Sequence, residues 1–313
     1  MTVPQVSIVL ATNRNSPFLA EALRSVQAQT MADWELILVD NGIPEPEPIA
    51  KLLAADSRMR MITIDSSATA GLSRNVGASQ TSGPLVTFLD DDDVWREDRL
   101  ELHARAHTAQ QHAPASYSGY WHMDAEGRRF GTDWRSRQAP ADEMLRGTVH
   151  TPLGPTVVVR REEFAAIGGF SPEIPILVDF EFALRLALRG SFAYIDELLV
   201  GYRRHDRNMT STASANVRLR RAAMEGMVER QRWAAAGRGL DHTARMLDER
   251  LGRFRAEQAH EIGASLPRLL RGGDLGGAAG DAVWAVRRSP FRFLRGLGST
   301  LARSLRGSGG RAR

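Results

Sequence analysis

Four consecutive carboxylates, Asp90, Asp91, Asp92 and Asp93, close a short apolar run, L-V-T-F-L at 85–89. That run has the β-branched and aromatic content of a buried strand. Along an extended backbone alternate side chains share a face, so Asp90 and Asp92 are expected on one side. Two carboxylates facing one way at the edge of a core repel each other and lose hydration. Protonation, a basic partner or a hard divalent cation with oxygen ligands relieves such a pair. The plain alternative is a solvated acidic turn in which none of the four does chemistry.

What the rest of the chain brings to the same place depends on its elements. Apolar strands are expected at 6–11 (V-S-I-V-L-A), 34–39 and 59–64, ahead of the one at 85–89. Helical stretches start at Pro17, near 49 and at 71–80, between these strands. This alternation predicts an α/β fold with a mostly parallel, doubly wound sheet. In such sheets ligands bind beyond the carboxyl ends of the strands. Thr12, Asp40, Asp65 and Asp90 fall at four successive ends and form a polar rim suited to a nucleotide.

The second half is less regular. A helix is expected at 96–112, then strands at 116–123 and 128–134 around a turn at 124–127. Their rings, Tyr117, Tyr120, Trp121, Phe130 and Trp134, read first as packing and second as a platform for a sugar acceptor. The block 151–173 reads as loop, strand, short helix and a Gly168-Gly169-Phe170 turn. V-D-F-E at 178–181 then opens a helix that ends near Gly190. Asp179 and Glu181 flank its start, where an acid also serves the helix dipole. A strand-like stretch at 192–195 precedes G-Y-R-R-H at 201–205.

Composition narrows the classes. The 313 residues suffice for one large domain with an appendage, or for two domains. With no cysteine there is no disulfide, thiolate metal site or cysteine nucleophile. Residues 1–5 lack the basic region of a secretory leader, and no apolar run reaches the roughly 18 residues of a spanning helix. A cytoplasmic protein is expected. The net charge of +4 is uneven: residues 265–313 hold ten Arg and two Asp, leaving 31 basic and 35 acidic residues elsewhere. A basic tail on an acidic body disfavours a nucleic-acid-binding core and points to an anionic partner for the tail.

Residues 213–264 read as two helices broken near 237–239, and 272–280 as a flexible link. Ser289-Pro290 then starts a helix. Phe293, Leu294, Leu297, Leu301 and Leu305 are expected on one face, and Arg292, Arg295, Arg303 and Arg306 on the other. A basic amphipathic helix over 281–313 suits peripheral contact with an anionic membrane at its inner face. Packing on protein is the alternative.

These pieces together resemble glycosyltransferase family 2, with its GT-A fold. The resemblance rests on V-S-I-V-L-A-T at 6–12, V-D-N at 39–41, G-L-S-R-N-V-G at 71–77 and F-L-D-D-D-D-V-W at 88–95. It continues through G-G-F at 168–170, V-D-F-E at 178–181 and Y-R-R-H-D-R-N-M-T at 202–210. It covers about residues 4–212, divided into a nucleotide-sugar half at 1–112 and an acceptor half at 113–212, followed by a helical extension over 213–280.

The resemblance implies an inverting transfer from a nucleotide-diphosphate sugar to an acceptor hydroxyl, aided by Mn²⁺ or Mg²⁺. It implies that Thr12 and Asp40 hold the base, that Arg74 and Asn75 lie by the nucleotide and phosphates, and that Asp90 lies near the ribose. Asp92 would bind the metal, with His205 able to join it, and Asp179 would be the catalytic base. Asp91 and Glu181 have supporting places. Asn41-Gly42 replaces the usual G-S, and Val178-Asp179 the usual E-D.

Two other functions fit parts of the chain. D-x-D-x-V at 90–94 is also the first motif of haloacid-dehalogenase-type phosphatases, but these use a later basic residue, normally lysine, and Lys51, the single lysine, precedes the motif. A non-catalytic nucleotide-sugar-binding or membrane-adaptor protein is the third reading.

Overall fold

The structure, a computed structural model, describes residues 3–308 apart from 151, 153, 175, 207, 209–216 and 273–274. The chain divides into two units, residues 1–215 and 216–313.

The first unit is α/β. Its strands are β1 (Val6–Thr12), β2 (Trp34–Asp40), β3 (Met59–Thr63), β4 (Leu85–Leu89), β5 (Val94–Trp95), β6 (Ala115–Met123), β7 (Arg129–Trp134), β8 (Val157–Arg160) and β9 (Ala193–Arg203). Among the described residues they form one sheet in the order β3-β2-β1-β4-β8-β6-β9-β5, with β7 paired to β6. β1, β2 and β4 are near-continuous apolar runs because the sheet is covered on both faces. The pairs β1–β2, β1–β4 and β2–β3 are parallel, and Thr12 lies level with Asp40.

Helix α1 (Leu19–Gln27) buries Leu19, Ala22, Leu23 and Val26, the spacing of one helical face. It is followed by α2 (Glu47–Leu53) and α3 (Ala70–Ser79). Helix α3 lies unusually close to the sheet. A Cβ on Gly77 would overlap Val9 and Val39, so glycine there lets the helix settle on β1 and β2. That contact fixes where Arg74 and Asn75, one turn earlier, meet the strand ends.

Beyond β4 the sheet turns mixed. β8 runs antiparallel to β4 and β6, whereas β6 and β9 are parallel. The strand expected at 192–195 continues to Arg203. Asp196 and Glu197 break its apolar pattern, and they fall where the β6–β9 register shifts. The helix expected at 96–112 is the shorter α4 (Arg99–Ala109). The sequence reading passed over β5 and α5 (Ala141–Arg146), elements too short to carry a period. Helices α6 (Arg161–Ala166) and α7 (Val178–Ala187) complete the unit.

The second unit is helical: α8 (Val217–Gly237), α9 (Asp241–Arg271), α10 (Leu275–Arg288) and α11 (Pro290–Ser308). Ala259 and Ile262 of α9, Ala285 of α10 and Phe293 of α11 share its core. Glu225 of α8 accepts from Arg255 Nε at 2.6 Å and Arg288 Nε at 3.0 Å. The flexible link expected over 272–280 is helical from Leu275 onward despite its glycines, with Ala278 buried and Ala279 exposed. Among the described residues no helix is long and apolar enough to cross a membrane.

Helix α4 buries two histidines in the first unit. His103 Nδ1 meets Ser116 Oγ at 2.7 Å, and His107 Nε2 meets the Val158 carbonyl at 3.2 Å. Burial lowers both, helped for His103 by Arg99 and His107, and takes His107 down to about 4. The unfolded chain therefore binds protons near pH 6.5 that the folded one refuses. The stability from this pair is complete above pH 6.5 and drains away as pH falls toward 4. Thermal melts should show Tm dropping steadily from pH 7 to pH 5. His107→Leu should flatten that slope by about one proton, with His107 alone responsible for on the order of 3 kcal/mol. A slope unchanged in the variant counts against the assignment.

Candidate active site

The acid turn stands at the centre of the first unit's carboxyl edge. β4 ends at Leu89, and the chain then turns, with the Asp93 N–H donating to the Asp90 carbonyl at 3.3 Å. Strand alternation stops with the strand. Asp90, Asp91 and Asp92 all line one cleft of about 370 Å³, together with Thr12, Arg14, Asn41, Ser73, Arg74, Tyr202 and Asn208.

Each carboxylate has its own answer to burial. Asp91 takes a two-pronged bond from Arg14, Nε to Oδ2 at 3.0 Å and Nη2 to Oδ1 at 2.6 Å. Thr12 Oγ1 also donates to Asp91 Oδ2 at 2.5 Å. Asp92 Oδ2 meets His205 Nε2 at 3.0 Å, Arg14 Nη2 at 2.9 Å and Asn208 Nδ2 at 3.3 Å. Asp90 Oδ1 accepts from Arg74 Nη2 at 2.7 Å. Asp93 points inward and accepts the Arg203 N–H at 3.0 Å, while its Oδ2 has no partner. Burial first, then repulsion from Asp92 and Asp90, pushes the Asp93 carboxyl well above the usual range. Arg203 braces the turn from behind, with Nε on the Asp92 carbonyl at 2.9 Å and Nη2 on Glu21 at 2.6 Å.

Arg74 reaches across the cleft. Besides Asp90, its Nη1 lies 3.8 Å from Oδ1 of Asp179, the second residue of α7. That oxygen is buried without a hydrogen bond, although the side chain as a whole keeps 28% exposure. Burial raises the Asp179 carboxyl above its ordinary value; Arg74 opposes the shift and Asp90 adds to it. The carboxylate fits because residue 154 is glycine: a Cβ there would sit 2.5 Å from Oδ1.

Other expected site residues take structural partners. Asp40 Oδ1 accepts the N–H groups of Gly42 and Ile43 at 2.9 and 2.7 Å, and its neighbour Asn41 lines the cleft instead. Asp65 caps its own turn through the Ser67 N–H at 2.8 Å. Asn75 clasps the Phe170 backbone with both ends of its amide, each at 2.8 Å. Glu181 holds Arg185 through two bonds of 2.7 Å, and Arg185 reaches on to the Gly169 carbonyl at 2.7 Å. Both therefore fix the glycine turn beside the site. Part of Y-R-R-H-D-R-N-M-T, residues 207, 209 and 210, lies outside the described residues.

The sequence reading missed Arg14, Asn208 and Gly154. Arg14 was findable: a run of four acids needs cations, and Arg14 stands two residues past the end of β1. Nothing in the sequence marked Gly154.

Among the described residues no three His, Asp or Glu side chains converge as a ready metal shell. The donor chemistry nevertheless fits a divalent cation. Asp90 and Asp92 offer hard oxygen donors to one cleft, and burial, then repulsion from Asp90 and Asp91, holds the Asp92 carboxyl above its ordinary value against His205 and Arg14. His205 offers a nitrogen beside them.

The mixed central sheet, with its cleft at the carboxyl ends of the strands, has the architecture of a GT-A fold. The chain belongs to glycosyl transferase family 2, which it matches over residues 7–168; Asp179 and His205 lie beyond that span. It is 31% identical over 206 residues to the O-antigen biosynthesis protein RfbC of Myxococcus xanthus, covering 63% of this chain and 16% of that protein. It therefore spans about a sixth of RfbC. It is 26% identical to a putative teichuronic acid biosynthesis glycosyltransferase, TuaG, of Bacillus subtilis, over 66% of this chain and 82% of that one. The fold is similar to S. aureus TarS 1–349, with a TM-score of 0.62 and 17% identity over 90% of this chain and 81% of the other. TarS 1–349 in complex with UDP-GlcNAc matches with a TM-score of 0.58 and 17% identity, over 72% and 65% of the two chains. Family membership removes the phosphatase reading of D-x-D-x-V.

Arg14→Ala leaves Asp91 and Asp92 without their shared cation. Because Arg14 is partly exposed, the loss should be modest, roughly 1–2 kcal/mol in urea denaturation at pH 7.5. An undiminished midpoint would mean that water satisfies these acids.

Proposed function

We propose that the chain moves a sugar from a nucleotide-diphosphate sugar to an acceptor hydroxyl, with inversion, in the synthesis of a cell-surface glycan. The observation that carries this reading is the line Asp179–Arg74–Asp90 across the cleft. It joins a base to an anion-binding edge through one guanidinium.

The acceptor oxygen attacks the anomeric carbon while the carbon–oxygen bond to the diphosphate breaks. The hydroxyl proton passes to Asp179, whose raised proton affinity suits a general base. A single base opposite the leaving group gives one displacement and hence inversion. Arg74 offers a fixed positive charge as the diphosphate departs, stabilisation that costs no reorganisation. Thr12, Asn41 and Ser73 line the cleft where the nucleotide lies. Asp90 and Asp92, with His205, would hold Mn²⁺ or Mg²⁺. When bound, that ion neutralises charge growing on the diphosphate.

Several comparisons support the donor and product classes. TarS is solved with UDP-GlcNAc, which makes UDP-sugars the first donors to test. The names of RfbC and TuaG, and that of WfgD of Escherichia coli, 31% identical over 97 residues, a UDP-Glc:alpha-D-GlcNAc-diphosphoundecaprenol beta-1,3-glucosyltransferase, point to surface glycans. A lipid-linked acceptor would place the protein in the cytoplasm, at the inner face of the membrane.

The primary test is hydrolysis of UDP-, GDP- and dTDP-sugars with Mn²⁺. Binding of a donor with no turnover of any would favour the non-catalytic reading. Gly154→Ala should displace Asp179 and cut turnover by about 100-fold, since misplacing a catalytic group by an ångström costs that order. Asp179→Asn should retain donor binding and lose transfer; normal turnover in it removes Asp179 from the mechanism. Asp92→Ala should erase any Mn²⁺-dependent gain in UDP affinity by calorimetry. A wild-type affinity indifferent to Mn²⁺ counts against metal dependence.

A further inference from the structure

Helices α10 and α11 carry more apolar surface than the second unit uses. α10 turns Ala278, Ala282 and Ala285 inward, and α11 turns Phe293, Gly296 and Leu297 inward. At Gly296 the helices cross so closely that a Cβ would collide with the His260 carbonyl of α9. The face expected from sequence to hold Phe293 and Leu294 together is thus split. Phe293 is buried, but Leu294, a hundred degrees round the helix, is not.

Leu294 belongs to an outer strip. Leu275, Val283 and Val286 on α10, with Phe291 and Leu294 on α11, are between 47% and 86% exposed. The pairs 283/286 and 291/294 each share one side of their helix. Single exposed apolar residues are ordinary. Five large ones within twenty residues, on consecutive helices, are a surface.

Along α10 and α11 themselves the exposed charge has one sign. Arg287, Arg292 and Arg295 are exposed there, and Arg288 is exposed while shared with Glu225 of α8. Between 275 and 308 the single acid is Asp281. It is buried and already held by Arg221 Nη2 at 2.6 Å and Arg218 Nε at 3.0 Å. A second copy docked on this face would set arginine against arginine. A bilayer of anionic lipid offers both things the surface lacks: an apolar interior for Phe291 and Leu294, and a dense layer of phosphate for the arginines.

We propose that the outer strip of α10 and α11 docks the protein on an anionic lipid bilayer. The inference extends the membrane-side acceptor above, but it stands on exposure and charge in the second unit. Its failure and the failure of sugar transfer are therefore separable.

The test is flotation of the full chain with phosphatidylcholine vesicles, with and without phosphatidylglycerol. The protein should rise with phosphatidylglycerol vesicles in low salt and be released in high salt. Phe291→Asp with Leu294→Asp should stay in the soluble fraction, with an unchanged Tm and unchanged donor hydrolysis. Arg292→Ala and Arg295→Ala should each lower partitioning about fivefold. The proposal is overturned if the wild type ignores anionic vesicles, or if the double variant floats as the wild type does. It is also overturned if sedimentation shows a dimer that the double variant abolishes, which would assign the strip to a second copy.

Discussion

Four carboxylates in a row cannot be brought to the edge of an apolar sheet without compensation, and the first unit is organised by how that compensation is supplied. Each acid draws on a different part of the chain. Asp90 uses Arg74 of α3, Asp91 uses Arg14 beyond β1, Asp92 uses His205 and Asn208 beyond β9, and Asp93 uses the Arg203 backbone. The turn is therefore where segments nearly 200 residues apart are tied together. Taking away one partner of such a set leaves a buried charge unanswered, which costs more than the pair itself contributes.

The same arrangement gives the cleft its electrical character. Asp91 is neutralised by Arg14 in a two-pronged pair, so it adds little net field. Asp93 is sealed beneath the turn. Asp90 is the most open of the four, with its side chain 32% exposed although paired with Arg74. Asp92 is 10% exposed and shares Arg14 with Asp91 while also meeting His205. Strand alternation does not separate them, because the chain has already turned at Asp91.

The doubly wound order of β1 to β4 was legible because fully covered parallel strands are apolar throughout and their ends carry polar residues. β9 was read short because Asp196 and Glu197 interrupt the pattern at a register shift that no period reveals. In the site, residue types were legible but orientations were not. Asn75 and Glu181 sit in the right places, yet turn to the Phe170 backbone and to Arg185. Asp40 spends one oxygen on its own turn. Gly154 was invisible because its contribution is an absent Cβ, which only the position of Asp179 makes meaningful. In α11 the helix itself was legible, but the expected face is divided: Phe293 is buried and Leu294 exposed, while the side chains of Leu301 and Leu305 lie outside those described.

Valine at 178, where the family's usual pattern has an acid, has a physical reading under the proposed mechanism. Arg74 is one positive charge between two carboxylates, Asp90 on one side and Asp179 on the other. A further acid at position 178 would add a negative charge beside Asp179 in the first turn of α7. Repulsion would raise the proton affinity of Asp179 beyond what burial already does. With Val178, the charge balance is kept among Asp179, Arg74 and Asp90. Glu181, the nearby acid on the same helix, is removed from that balance by its own partner, Arg185.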